Sequence, residues 1–190
     1  MMIELEEKIE KIYLMYHKEK TYKHVCAVAN CACQLAKLYH ENIKKVKYAS
    51  LLHDISAILS LDDMYRIARE REMNLDQAEE VYHFLLHQRI SKIIVMDYLD
   101  IDDEDILSAI ECHTTLKKDA NNIDKIVFLA DKIAWDQAGK PPYFDIVQEA
   151  VSISLDKGCY EFMKYQLDHH LLLMPHHWFM EAFQQLERRV

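Results

Sequence analysis

YASLLHDISAIL, residues 48–59, sets His53 beside Asp54 in a run otherwise dominated by Leu51, Leu52, Ile55, Ile58 and Leu59. An imidazole and an ionised carboxylate are costly to bury unless each finds a partner. A divalent metal satisfies both at once; a hydrogen-bonded core pair is the plainer alternative. The dipeptide gains weight from four residues of like kind in other apolar segments. These are His24 in TYKHVCAVAN, His87 in FLLHQRIS, His113 in SAIECHTT and Asp131 in IVFLADKI.

The chain has 190 residues, enough for one domain with a sizeable core. Only 2 glycines and 3 prolines leave little turn chemistry for a many-stranded sheet, so composition points to an all-α fold. A net charge of −9, from 23 basic and 32 acidic residues, argues against a nucleic-acid binder working through a broad basic face. No run approaches the roughly 18 apolar residues of a membrane span. The acidic, periodic opening MMIELEEKIEKIYLMYHKEK lacks the basic-then-apolar order of a signal peptide. Cys26, Cys31, Cys33, Cys112 and Cys159 are odd in number and sit mostly within helical patterns, so they read as reduced thiols of a cytoplasmic protein.

Apolar periodicity predicts helices over 3–18, 21–39, 42–58 and 61–71, with Asp62 or Asp63 placed to cap the last. Residues 76–98 hold two helices, or one broken near His87, and a further helix starts at Asp102-Asp103-Glu104 and reaches His113. Helices over 121–136, 143–156, 157–168 and 176–188 complete the set, with Gly139-Lys140-Pro141-Pro142 the strong breaker. On the second helix Val25, Val28, Ala29, Ala32, Leu35 and Ala36 form the inner face.

Spacing turns each candidate ligand inward. His113 follows Ile106, Ala109 and Ile110 at helical intervals, Asp131 follows Val127 and Phe128, His53 follows Val46, Ala49 and Ser50, and His24 precedes Ala27 and Val28. No Lys or Arg occupies a neighbouring position on those faces to neutralise the carboxylates. A single buried histidine is ordinarily a satisfied core residue. Four histidines and two aspartates on apolar faces are harder to absorb, since an uncompensated carboxylate there costs several kcal/mol. His169-His170 and His176-His177 lack partners at fitting positions and read as surface histidines.

The order His24 … His53-Asp54 … His87 … His113 … Asp131 resembles the HD-domain metal-dependent phosphohydrolases. Within them it is similar to the YqeK-like branch, the bacterial symmetrical diadenosine tetraphosphatases. Tyr22-Lys23-His24, Leu51-Leu52-His53-Asp54, Leu86-His87, Ile110 through Thr115 and Phe128 through Asp131 carry the likeness, with an echo at Met174-Pro175 and Glu181-Ala182-Phe183. Thr21 and Ala57 stand where the branch has cations. Gln88-Arg89 replace a small residue and a proline, Leu116 replaces a glycine, and Ile133-Ala134-Trp135-Asp136-Gln137 departs from Ile-Glu-Pro-x-Arg.

The resemblance implies one HD-type helical bundle over 1–190, with the metal-binding core at about 20–136 and C-terminal helices over 143–190. It implies His24, His53, Asp54, His87, His113 and Asp131 as metal ligands, Asp54 and His53 at the catalytic centre, and Asp54 bridging a dinuclear centre. Iron is the first expectation, with manganese or zinc as alternatives, because mixed nitrogen and oxygen donors suit all three. Six ligands exceed the four that close a structural zinc site. The implied activity is hydrolysis of a nucleotide, such as diadenosine tetraphosphate to two ADP. A nucleotidase or phosphodiesterase on a smaller nucleotide is the alternative, as is a weakly catalytic metal- or nucleotide-binding regulator. A second copy of the chain is the protein partner considered, with no nucleic acid and no membrane. For substrate phosphates the nearest cations are Arg89, whose guanidinium offers two donors, Lys132 and Lys117. Thr114 offers a hydroxyl. His83 reads as a support for His87 or a core histidine. Trp135 and Tyr143 read either as a cover for a base or as loop anchors.

Overall fold

Short polar residues at the ends of apolar runs set where six of the helices begin. The computed structural model describes residues 2–134 and 139–190, which form eleven α-helices and, among the described residues, no strand. The first, α1 (Met2–Met15), packs on α2 (Glu19–Leu38). Asn42 caps α3 (Ile43–Leu52) by accepting from Lys44 N and Lys45 N. Ser60, rather than Asp62 or Asp63, caps α4 (Leu61–Glu70); both aspartates lie in the first turn, where they face the positive helix end. Asp76 and Glu79 close a capping box on α5 (Gln77–Val81). After α6 (His87–Leu99), Asp103 caps α7 (Glu104–Cys112), and Asn121 with Asp124 forms a capping box on α8 (Asn122–Ile133).

The C-terminal helices are α9 (Phe144–Ile153), α10 (Leu155–Asp168) and α11 (His177–Glu187). The break between the first two falls at Ser154, two residues before the expected boundary, because Ser154 adopts extended backbone and caps α10 through Lys157 N. Gly158 allows their close approach: a Cβ there would stand 2.5 Å from Val151 Cγ2 and 3.4 Å from Val151 Cα.

The centre is built by α2 against α3 and α8, with α7 against α3, α6 and α8. The inner face of α2 is the one read from periodicity: Val25, Val28, Ala29, Ala32, Leu35 and Ala36 are all buried. One buried cluster runs from Ile9 on α1 to Leu186 on α11, so the C-terminal helices share the core of the ligand-bearing ones. A smaller cluster joins Met64 and Ala68 of α4 to Leu86 and Ile90 beside His87.

Candidate metal centre

The six candidate residues come from five helices, and three of the four histidines stand at helix ends. His24 lies in α2 and Asp131 in the last turns of α8. His53 and His113 are the C-cap residues of α3 and α7, and His87 opens α6 after a 3-10 turn at His83–Leu86. The expected helix over 42–58 thus ends at Leu52, and Asp54 leads into a second 3-10 turn, Ile55–Ile58. That turn is tied to α6, since Ser56 N donates to Ser91 Oγ and Ser56 Oγ donates to the His87 carbonyl.

One device orients three of the rings. Nδ1 of His53 donates to the Ser50 carbonyl at 2.7 Å, that of His87 to Phe84, and that of His113 to Ile110 at 2.8 Å. Each bond spans three residues backward. With the proton held on Nδ1, each Nε2 lone pair is left for the site, the arrangement that metal-binding histidines require.

These nitrogens meet the two carboxylates. His24 Nε2 lies 3.0 Å and His53 Nε2 3.5 Å from Asp131 Oδ1. Asp54 divides its oxygens: Oδ2 faces His53 Nε2 at 3.5 Å, while Oδ1 faces His87 Nε2 at 3.6 Å and His113 Nε2 at 3.5 Å. Two groups able to hold a metal ion overlap at His53, namely His24–His53–Asp131 and His53–Asp54–His113. Within each, one ligand atom per residue lies within 4.8 Å of the others.

The donor set fits a cation on two counts. His53 Nε2 is fully buried with no hydrogen-bond partner. His87 Nε2 and His113 Nε2 stand 2.9 Å apart, and with both protons committed at Nδ1 their lone pairs oppose each other. Positive charge between such groups removes the repulsion.

Electrostatics follow the same layout. Burial works to raise the Asp54 carboxyl, but the imidazoles of His53, His113 and His87 outweigh it and hold Asp54 well below the usual carboxylate range. Asp131 is likewise lowered against its burial, by Lys132, His24 and His53. Burial alone would lower His53, yet Asp54 and Asp131 push it up to about 9, which marks Nε2 as a place for positive charge that either a proton or a metal ion can supply. His113, buried beside His53, falls to about 4.

The structure amends the expectation that no Lys neutralises these carboxylates. Lys132 Nζ contacts Asp131 Oδ2 at 2.6 Å, its flexible stem reaching back across the last turn of α8. Lys132 and Thr114 also line a cavity of about 240 Å³, together with Phe84, Phe162, Gln166 and Phe179. Thr114 Oγ1 is 3.0 Å from His87 Nε2, so the cavity adjoins the cluster.

Other candidates are placed elsewhere. Arg89 Nη1 donates to Glu79 Oε2 at 2.7 Å and to the Asn74 carbonyl at 3.0 Å, and its guanidinium lies over Trp178. Lys117 pairs with Glu111 at 3.7 Å. His83 stacks on Tyr65, with ring centroids 4.0 Å apart. Tyr143 is a loop anchor: it is buried, packs on Phe162 and donates to the Lys132 carbonyl. Trp135 falls outside the described residues.

His169 and His170 are exposed as expected, but His176 is buried and caps α11 by accepting from Trp178 N. It packs against Glu79 of a distant helix, a contact that local sequence does not reveal. His176, His177 and Asp76 are also near enough to one another for a metal. The cap uses the His176 Nδ1 lone pair and puts the proton on Nε2, 3.7 Å from Glu79 Oε1, which suits a clamp rather than a ligand.

Sequence reading missed Gln88, which lies on α6 and is fully buried against the turn after His113. Its one signal is the replacement of a small residue beside a ligand. The cavity wall from α10 and the segment before α11 was also missed, because its residues are remote in the chain from every ligand.

The sequence pattern of the HD domain family matches residues 21–136, the span holding all six residues. The chain is 34% identical over 161 residues to a Staphylococcus aureus protein named symmetrical bis(5'-nucleosyl)-tetraphosphatase, covering 83% of this chain and 81% of that one. It is 34% identical over 142 residues to an uncharacterised Lactococcus lactis protein encoded in the pepC 5' region, covering 75% and 72% of the two. A solved structure from Clostridium acetobutylicum, described as a predicted HD superfamily hydrolase involved in NAD metabolism, superposes with a TM-score of 0.85 at 29% identity, covering 97% of each chain. The family pattern covers most of the chain, and relatives are identical at about a third of the aligned residues, so the chain belongs to the HD domain family.

Proposed function

We propose that the chain is a metal-dependent phosphohydrolase that cleaves a dinucleoside polyphosphate symmetrically, such as diadenosine tetraphosphate to two ADP. One observation carries the reading: four imidazoles and two carboxylates converge beside a largely apolar cavity. Relatives named as symmetrical tetraphosphatases support the substrate class. His24, His53 and Asp131 would hold one divalent ion, and His87 and His113 a second, with the divided oxygens of Asp54 facing both groups. Such ions supply positive charge for a phosphoryl oxygen and acidify a bound water. Iron is favoured, and the same donors suit manganese or zinc.

Around that centre the chain's own residues bind and orient. Lys132, held by Asp131, offers the nearest ammonium to a phosphate, and the Thr114 hydroxyl offers a donor. Phe84, Phe162 and Phe179 supply apolar walls for one nucleoside, and Gln166 supplies amide groups for its edge. Arg89 as a phosphate contact would require its release from Glu79. We read 1–190 as one domain, because the buried cluster spans α1 to α11. We place it in the cytoplasm, in keeping with five free cysteines. No helix among the described residues is long and apolar enough to cross a membrane.

The test is product analysis with metal-loaded protein. Diadenosine tetraphosphate should give ADP alone. ATP plus AMP would overturn symmetrical cleavage. Turnover confined to mononucleotides would favour the smaller-substrate alternative, which Thr21, Ala57 and the engaged Arg89 favour by leaving few cations at the site.

A further inference from the structure

The anchoring of His113 takes a backbone acceptor. In a continuing helix the Ile110 carbonyl would receive Thr114 N–H, four residues on. Here His113 Nδ1 donates to Ile110, and Thr114 N–H turns to Gln88 Oε1 at 3.1 Å. Thr115 N–H donates to the same oxygen at 3.3 Å, and Gln88 Nε2 donates to Thr115 Oγ1 at 3.1 Å. Gln88 is fully buried, so its amide has no water to turn to. The bonds join the residue after ligand His87 to the turn after ligand His113. They leave the Thr114 hydroxyl 3.0 Å from His87 Nε2, on the cavity wall.

We propose that Gln88 is a positioning residue: by holding the 113–115 turn it aims the Thr114 hydroxyl at a phosphate of the bound nucleotide. The inference rests on the phosphohydrolase reading for the ligand class, and on the hydrogen bonds for the mechanism.

The experiment compares Gln88→Leu, Gln88→Met, Thr114→Val and the Gln88→Leu/Thr114→Val double variant. Leucine and methionine keep bulk without the amide. In metal-free protein, hydrogen exchange at the Thr114 and Thr115 amides should be slow in wild type and at least about tenfold faster in Gln88→Leu. In manganese-loaded protein, calorimetry should show ADP affinity about tenfold weaker in Gln88→Leu and in Thr114→Val, with the double variant no weaker than either. Additive losses, or unchanged exchange in Gln88→Leu, overturn the inference. Should Gln88→Leu fail to fold, Gln88→Met takes its place: slow exchange or full ADP binding in Gln88→Met overturns it. Wild-type protein that binds no ADP overturns it as well. Protein that binds ADP yet leaves diadenosine tetraphosphate intact overturns only the reaction proposed above.

Discussion

Replacing Arg89 by alanine strands a buried charge. Glu79 is fully enclosed, and its Oε2 accepts from Arg89 Nη1 at 2.7 Å and from Asp76 N–H at 2.9 Å. Its Oε1 has no hydrogen-bond partner among the described residues and lies 3.7 Å from His176 Nε2. Removing one partner of a buried ion pair costs roughly 3–5 kcal/mol. The Asp76 N–H and His176 remain, which places the expected loss near the lower end, about 3 kcal/mol. At about 2 kcal/mol per molar urea the midpoint should fall by about 1.5 M. The melting temperature should fall by roughly 6–12 °C for a chain of this size. Urea titration followed by circular dichroism measures the first, and calorimetry the second. Adding Glu79→Gln should recover much of the loss, since the neutral amide no longer needs a cation. KM for a polyphosphorylated nucleotide should stay within about twofold. A midpoint unmoved within about 0.3 M, with KM raised tenfold or more, would refute this reasoning and return Arg89 to the substrate.

The same pocket sets a pH dependence. Burial opposes ionisation of Glu79, but His176, the Asp76 N–H and Arg89 outweigh it and lower its pKa. A lowered carboxyl stabilises the fold fully above the ordinary glutamate value of about 4.3, and that stability is lost as pH falls from there through the folded-state value. The stability difference between wild type and Glu79→Gln should therefore be constant above about pH 5 and shrink below it; a difference that grows on acidification contradicts the assignment. Gly158→Ala should destabilise by roughly 1–2 kcal/mol, because crowding against Val151 exceeds the gain in helix propensity, and Val151→Ala should restore it; unchanged denaturation would show that α9 and α10 are free to separate. Asp54→Ala should lose both metal content by elemental analysis and turnover, since its two oxygens face both groups of histidines; full occupancy with the wild-type rate would leave Asp54 a structural residue.

The amino-acid sequence by itself determined the helices and the identity of the cluster. Periodicity marks the buried face of α2 residue by residue, because a helix turning every 3.6 residues must spend its apolar side chains on one stripe. His53, Asp54 and Asp131 stand out for a related reason: charge in an apolar run has to be matched by something. Tertiary structure decided where the runs break and what each cation meets. The helix at 42–58 stops at Leu52, where the His53 ring bonds back to Ser50 and Ser56 is drawn to Ser91, a residue 35 positions on. Arg89, read from the sequence as a phosphate contact, meets Glu79 in the fold. The fold buries that glutamate, and its charge captures the guanidinium. His176 was hidden in the same way. Local patterning shows which residues must be buried. Which buried charges face one another depends on contacts between segments up to about a hundred residues apart, as when His24 meets Asp131, and only the packed chain supplies those.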